Sequence, residues 1–261
     1  MNLAAPLPAL PMAFVIGVVL AAGIVRGFAG FGFSAISVAG LALVVAPAQV
    51  LPPVFVLEVL ASLSLLRGAL RDIDWPWLGW LVLGNAVAMP LGIALLAWLP
   101  ETPLRLVIGA LLLTAALLLR GGISIGLAPT RGARLATGLV SGLANGVAAI
   151  GGIAIAVLLA AAPIAPAAMR ATLIVLFLFT DLYALGCAAV VSWGLDAPSA
   201  LLGASTLAWT AWLLPAMLVG IAIGQRGFVG VSQAAFRRRV LELLIGVSAL
   251  TALRAGIAIA S

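Results

Sequence analysis

The segment that decides how this chain folds is residues 26–32, Arg-Gly-Phe-Ala-Gly-Phe-Gly. It separates two apolar runs, 14–25 and 33–45, and we expect each to be too short to cross about 30 Å of hydrocarbon as a straight helix. Glycines at this density favour helices that are interrupted within the membrane. The sequence therefore predicts a glycine-broken helical hairpin near the start of the chain.

A weaker second copy of this arrangement lies 119 residues further along the chain. This offset sets Arg26 against Asn145. The same offset sets five further positions of the first copy against five of the second, namely Gly23, Gly27, Phe31, Gly32 and Pro47 against Gly142, Gly146, Ile150, Gly151 and Pro166. Internal repeats with broken helices are typical of secondary transporters, which bind their substrates where the repeats meet.

The composition is that of a polytopic membrane protein. Of the 261 residues, 65% are hydrophobic and only 8% are charged, which is outside the range of soluble domains. Several apolar stretches reach membrane-spanning length, so we expect an all-α transmembrane helix bundle. All 13 basic residues are arginines, most of them in links between apolar spans, where the positive-inside rule accounts for them. We therefore expect a lipid bilayer and no nucleic acid as partner.

The chain has no histidine and one cysteine, Cys187. Metal sites built from thiolate and imidazole ligands, and Ser-His or Cys-His catalysis, are therefore excluded. No acid pair at short spacing indicates other catalysis. We expect a protein that is not an enzyme and has no catalytic residues, metal or cofactor.

Charge and apolar segments divide the chain into two halves. We predict a first transmembrane repeat at 1–122, a cytoplasmic linker at 123–134 and a second repeat at 135–261. The predicted spans outside the glycine breaks are 51–66, 77–98, 104–119, 169–191, 201–223 and 240–259. With the two segments of its hairpin, each half has five segments, an odd number, so the second repeat is expected to be inverted relative to the first.

The arginine counts predict the orientation. The links 120–134 and 225–239 hold three and four arginines, so both are expected in the cytoplasm. Tracing back from them places the 67–76 link inside and the 46–50 link outside. Both chain termini then fall on the outer, periplasmic face.

Arg26 is the sharpest functional signal. A charge at this depth costs at least roughly 2.5 to 3.5 kcal/mol on insertion scales, so it normally faces a cavity or a partner. The glycine amides after it and the N-terminus of a half-helix near Phe33 can complete an anion site. The predicted substrate-binding residues are Arg26, Gly27, Gly30, Gly32, Ser34, Asn145, Gly146, Gly151 and Arg170. The alternatives are that Arg26 reaches a membrane interface or pairs permanently with Glu58, and that Asn145 only bonds a neighbouring helix.

Glu58 and Asp181 are acids that lie well inside predicted spans. Desolvation favours the protonated form of a carboxyl group, so both are candidates for proton coupling. A fixed ion pair with Arg26 or Arg170 is the alternative.

At these residues the chain resembles the TauE/SafE family of anion permeases, also called the sulfite exporter family. Residues 26–32 match the pattern Arg-Gly-Phe-x-Gly-Phe-Gly, residues 142–146 and 150–152 resemble the second glycine block, and 170–172 resemble the arginine motif that follows. The likeness covers about residues 15–253. Where family members often have a proline pair after the second glycine block, this chain has Ile153 and Ala154.

The resemblance implies a proton-linked transporter of sulfite, sulfonates or other small organic anions, carboxylates included, in the bacterial inner membrane. We expect alternating access between the two repeats, with the small anion and protons as partners and a homodimer left open. The rival interpretations are a passive anion channel, a membrane assembly subunit without transport of its own, and an intramembrane enzyme.

Overall fold

The computed structural model describes residues 7–100, 103, 130–149, 151–152, 155, 166–194 and 203–227, and these residues form helices and no strand. The helices are α1 (Ala9–Ala29), α2 (Phe33–Leu41), α3 (Pro47–Ala69), α4 (Trp75–Trp98), α5 (Arg131–Ala148), α6 (Pro166–Gly194) and α7 (Ala204–Gly227). Within this part of the chain, α1, α3, α4, α6 and α7 are long and apolar enough to cross a membrane. The prediction of an all-α membrane bundle is confirmed. The predicted spans 104–119 and 240–259 lie outside the described residues.

Local sequence sets several helix ends. The N–H of Trp77 donates to the Asp74 carboxylate at 3.1 Å, which caps the start of α4. The Thr130 hydroxyl accepts the N–H of Ala133 at 3.2 Å and caps α5 in the same way. Pro47 opens α3, where a proline needs no hydrogen-bonding partner for its nitrogen.

The first apolar run is longer than the sequence indicated. We expected both runs of the first hairpin to be too short to span, but α1 has 21 residues and reaches spanning length, whereas α2 has nine. The helix continues through Arg26 and Gly27 and ends only at Gly30, which adopts a left-handed conformation with φ 80°. The prediction was wrong for α1 because the break occupies residues 30–32 rather than the whole glycine-rich segment.

Glycines let two pairs of helices approach closely. A Cβ at Gly23 of α1 would lie 2.6 Å from the carbonyl oxygen of Met217 in α7. A Cβ at Gly138 of α5 would lie 2.7 Å from the carbonyl oxygen of Leu81 in α4. Small residues at such contacts are how helices pack within a bilayer, where the hydrophobic effect gives little attraction between them.

The helix contacts follow the predicted repeat. The 119-residue offset relates α1 to α5 and α3 to α6, and chain order relates α4 to α7. Under this correspondence, the contact of α1 with α7 is equivalent to the contact of α5 with α4. In the same way, the contact of α4 with α6 is equivalent to the contact of α7 with α3, and all four contacts are present. The equivalent helices α3 and α6 pack antiparallel, with the N–H of Asp74, beyond the end of α3, bonded to the Thr172 hydroxyl near the start of α6 at 3.0 Å. This arrangement is consistent with inverted repeats.

Candidate anion site

Arg26 lies one turn before the end of α1, and its side chain is 0% exposed. Its Nη1 donates to the carbonyl oxygen of Gly30 at 2.8 Å, and its Nη2 donates to the Ser62 hydroxyl of α3 at 2.7 Å. The guanidinium carbon lies 4.6 Å from the centre of the Phe177 ring of α6, a cation–π contact. The side chain therefore faces protein groups from both halves instead of reaching a membrane interface.

The Glu58 carboxylate of α3 lies between Arg26 and the start of α2. Its Oε2 is 3.3 Å from Arg26 Nη2, and its Oε1 accepts the backbone N–H of Ser34 at 3.0 Å. Ser34 is the second residue of α2, so its N–H has no acceptor within the helix. The ion pair that the sequence left as an alternative is thus present, and the carboxylate occupies the place predicted for an anion.

A second buried acid lies beside this ion pair. Asp181 of α6 is close enough to Glu58 and Arg26 for electrostatic interaction with both, and it lies next to Asn145 of α5. The Asn145 Oδ1 accepts the N–H of Gly151 at 3.3 Å. Within the described structure, Asp181 Oδ2 and Asn145 Nδ2 are buried and make no hydrogen bond of good geometry. The fold thus brings together four polar residues that the sequence had singled out in different halves.

A family model described as Sulfite exporter TauE/SafE matches residues 15–251. The chain belongs to the TauE/SafE family. This match confirms the resemblance stated from the motifs and shows a multi-pass membrane transporter of the sulfite exporter family. Neither a curated protein nor a solved structure matched the chain.

Arg170 brings a second cation of this TauE/SafE protein to the first glycine break. Its Nη2 donates to the carbonyl oxygen of Gly27 at 2.9 Å, at the C-terminal end of α1. A Cβ at Gly30 would lie 2.6 Å from Arg170 Cγ. Arg170 is half-buried and close enough to Arg26 for the two charges to repel. The arginine motif of the second half therefore lies at the break of the first.

The predicted glycines divide into two groups. Gly30 and Gly32 have φ values of 80° and 92°, which favour glycine strongly, and they form the break itself. Gly27 and Gly146 lie inside helices, where a Cβ would meet Ile221 of α7 and Met89 of α4, so close packing accounts for them. Gly151 lies at the second break, and its carbonyl oxygen accepts the Ser141 hydroxyl at 3.0 Å.

Sequence reasoning missed two residues that contact Arg26 in this TauE/SafE chain, Ser62 and Phe177. The repeat is a sequence signal that could have identified both residues. The 119-residue offset sets Ser62 against Asp181 and Phe177 against Glu58, and these two acids had already been selected as candidates. The spacing of Glu58 and Ser62 is a second signal, since residues four apart lie on one face of a helix.

Proposed function

We propose that this TauE/SafE protein is a secondary transporter that moves a small oxyanion, such as sulfite, a sulfonate or a carboxylate, together with protons. The observation that carries the proposal is the carboxylate held between the Arg26 guanidinium and the N-terminus of α2. A guanidinium and unpaired helix N–H groups recognise any compact group of negatively charged oxygens, because they supply charge and donors together. Sulfite and sulfonates have the same kind of oxygens as the carboxylate.

The substrate site in this proposal lies where the two halves meet. Arg26 and the Ser34 N–H come from the first half, and Asn145 and Arg170 from the second. Asn145 supports it with a buried amide nitrogen that makes no hydrogen bond of good geometry within the described structure. Groups that approach from both halves allow a movement of one half against the other to open the site to each side in turn.

Proton coupling in this proposal uses Glu58 or Asp181. Both are buried, and they lie in the core with the buried Arg26 and, at the edge, the half-buried Arg170. Uncompensated buried charge is costly, so a bound anion favours uptake of a proton by one of the two carboxyl groups.

The proposal also places the protein in the inner membrane, with repeats at 1–122 and 135–261. Both chain termini lie on the periplasmic face in this proposal, and the arginine counts of the links support that orientation.

The test is flux of radiolabelled sulfite into proteoliposomes under an imposed pH gradient. The wild-type protein is expected to saturate with sulfite and to accumulate it against its gradient, whereas a passive channel only equilibrates it. Arg26→Ala is expected to abolish the flux, and Asp72→Asn, a change at an exposed residue of the α3–α4 link, is the matched control. Near-normal flux in Arg26→Ala would refute the anion site. Unchanged pH-driven flux in both Glu58→Gln and Asp181→Asn would refute the assignment of the proton carriers.

A further inference from the structure

The most informative feature of the core is what occupies the anion site. Arg26 Nη2 and the Ser34 N–H are the groups that would bind a substrate anion, and both lie against the Glu58 carboxylate. The Ser34 N–H donates to Oε1 at 3.0 Å, and Arg26 Nη2 forms an ion pair with Oε2 at 3.3 Å. Glu58 and Arg26 are almost completely buried, so each is the main compensation for the charge of the other. In this state the chain's own carboxylate holds the place of the substrate.

We propose that Glu58 is a built-in competitor for the anion site, so that a substrate anion binds Arg26 and the α2 N-terminus only when Glu58 takes up a proton. This inference rests on the proposed anion site at Arg26. Its consequence is that proton and anion bind together, one of each, and are carried in the same direction.

The charges around Arg26 support this exclusion. With Glu58 ionised, an incoming anion would place a second negative charge against a guanidinium that already pairs with Glu58 and bonds Ser62 and Gly30. Asp181 lies near the same pair and adds to the repulsion when its carboxyl group is ionised, while Arg170 adds a positive charge at the edge of the site. Among the described residues, Ser34, Ser62 and Phe177 also contact Arg26 or Glu58, and all three are neutral. Uncompensated charge in such a core is unfavourable, so anion binding requires the loss of one negative charge.

The exchange is simple in atomic terms. A proton binds Glu58 Oε2, an oxygen that accepts no hydrogen bond within the described structure and lies 3.3 Å from Arg26 Nη2. The neutral carboxyl group no longer attracts the guanidinium, and a substrate oxygen takes its place at Nη2. When the anion leaves, Glu58 releases the proton and pairs with Arg26 again. No covalent bond other than the O–H bond forms or breaks.

The experiment is calorimetric titration of sulfite and methanesulfonate into purified wild-type protein and Glu58→Gln, from about pH 5 to about pH 8. In the wild type, affinity is expected to fall by up to about tenfold per pH unit, because the proposal couples the binding of each anion to the uptake of one proton. Glu58→Gln lacks the competitor, so it should bind at every pH at least as tightly as the wild type at its most acidic pH. Protonation of sulfite itself affects both proteins equally and cancels in the comparison. Asp72→Asn, the same chemical change outside the core, should follow the wild type.

A second readout uses the wild type alone and does not depend on how the variant folds. Methanesulfonate keeps its charge over this range, so its binding in weakly buffered solution should take up about one proton per anion. Identical pH profiles in the wild type and Glu58→Gln, weaker binding by Glu58→Gln at every pH, or no proton uptake would each overturn the competitor role and leave the transporter proposal standing. Binding of neither anion by either protein would remove the anion site, and with it both proposals.

Discussion

Gly30 and Ala149, 119 residues apart, end α1 and α5 in the same way. Both have left-handed backbones, with φ values of 80° and 56°, and each donates its N–H at 2.8 Å to the carbonyl oxygen four residues earlier. Those carbonyls belong to Arg26 and Asn145, the two polar residues that the repeat pairs. The two halves therefore share a helix end as well as a sequence pattern, with glycine at only one of the two positions.

Substituting glycine for Ala149 and substituting alanine for Gly30 should change the stability of the protein in opposite directions. A left-handed conformation costs an L-residue roughly 1 to 2 kcal/mol, and glycine at the same position avoids this cost. The greater conformational freedom of glycine in the unfolded chain cancels roughly 0.4 to 1 kcal/mol of the gain. Ala149→Gly should thus raise the free energy of unfolding by up to about 1.6 kcal/mol. Gly30→Ala should lower it by at least about 1 kcal/mol, because its Cβ also meets Arg170 Cγ. Unfolding by detergent, followed by circular dichroism, measures both, and changes of the same sign would contradict the shared helix end.

Two glycines of α1 give a matched test of the helix contact. A Cβ at Gly17 meets nothing within 4 Å, whereas a Cβ at Gly23 lies 2.6 Å from the carbonyl oxygen of Met217. Gly17→Ala should stabilise the protein by roughly 0.5 to 1 kcal/mol through helix propensity. Gly23→Ala should destabilise it by roughly 1 to 3 kcal/mol, since α7 must move away. If the same unfolding measurement shows no difference between the two variants, close contact of α1 with α7 is not needed for stability.

The ion pair predicts a non-additive effect of two substitutions. Arg26→Met leaves the Glu58 carboxylate buried without its partner, which should cost about 3 to 5 kcal/mol of stability. Adding Glu58→Gln removes that charge and should recover most of the loss, because no uncompensated ion remains. Neither variant should transport sulfite, since both lack the guanidinium. Additive losses of stability would show that the two side chains do not interact, and flux in the double variant would show that Arg26 is not needed for binding.

Orientation can be tested at two exposed residues of consecutive links. In a Cys187→Ser background, Asp72→Cys in the α3–α4 link should react with a membrane-impermeant thiol reagent only from the cytoplasmic side, as the arginine count predicts. Gln49→Cys, at the start of α3, should react only from the periplasmic side. Both positions are exposed in the described structure. Labelling in spheroplasts and in inverted vesicles distinguishes the sides, and the opposite pattern at both positions would invert the whole orientation.

The sequence predicted the helix class and the position of the first break, because apolar length and glycine are visible in one dimension. The predicted repeat, which sets Arg26 against Asn145, is consistent with the matching helix ends. The sequence did not predict how far α1 extends. Glycines that break a helix and glycines that allow close packing look alike in a sequence, and only Gly30 and Gly32 have left-handed backbones. Nor did it decide whether Glu58 pairs with Arg26, since that depends on which faces of α1 and α3 meet.

The differences between the equivalent positions around Arg26 have a consequence for the resting state. The ends of α1 and α5 match, but the repeat sets Glu58 against Phe177 and Ser62 against Asp181. Charged residues in one half therefore correspond to uncharged residues in the other. If the halves exchange conformations, as the proposed alternating access requires, an exchange between unlike halves joins two states of unequal free energy. Without substrate or an ion gradient, the protein should therefore rest mainly open to one side of the membrane.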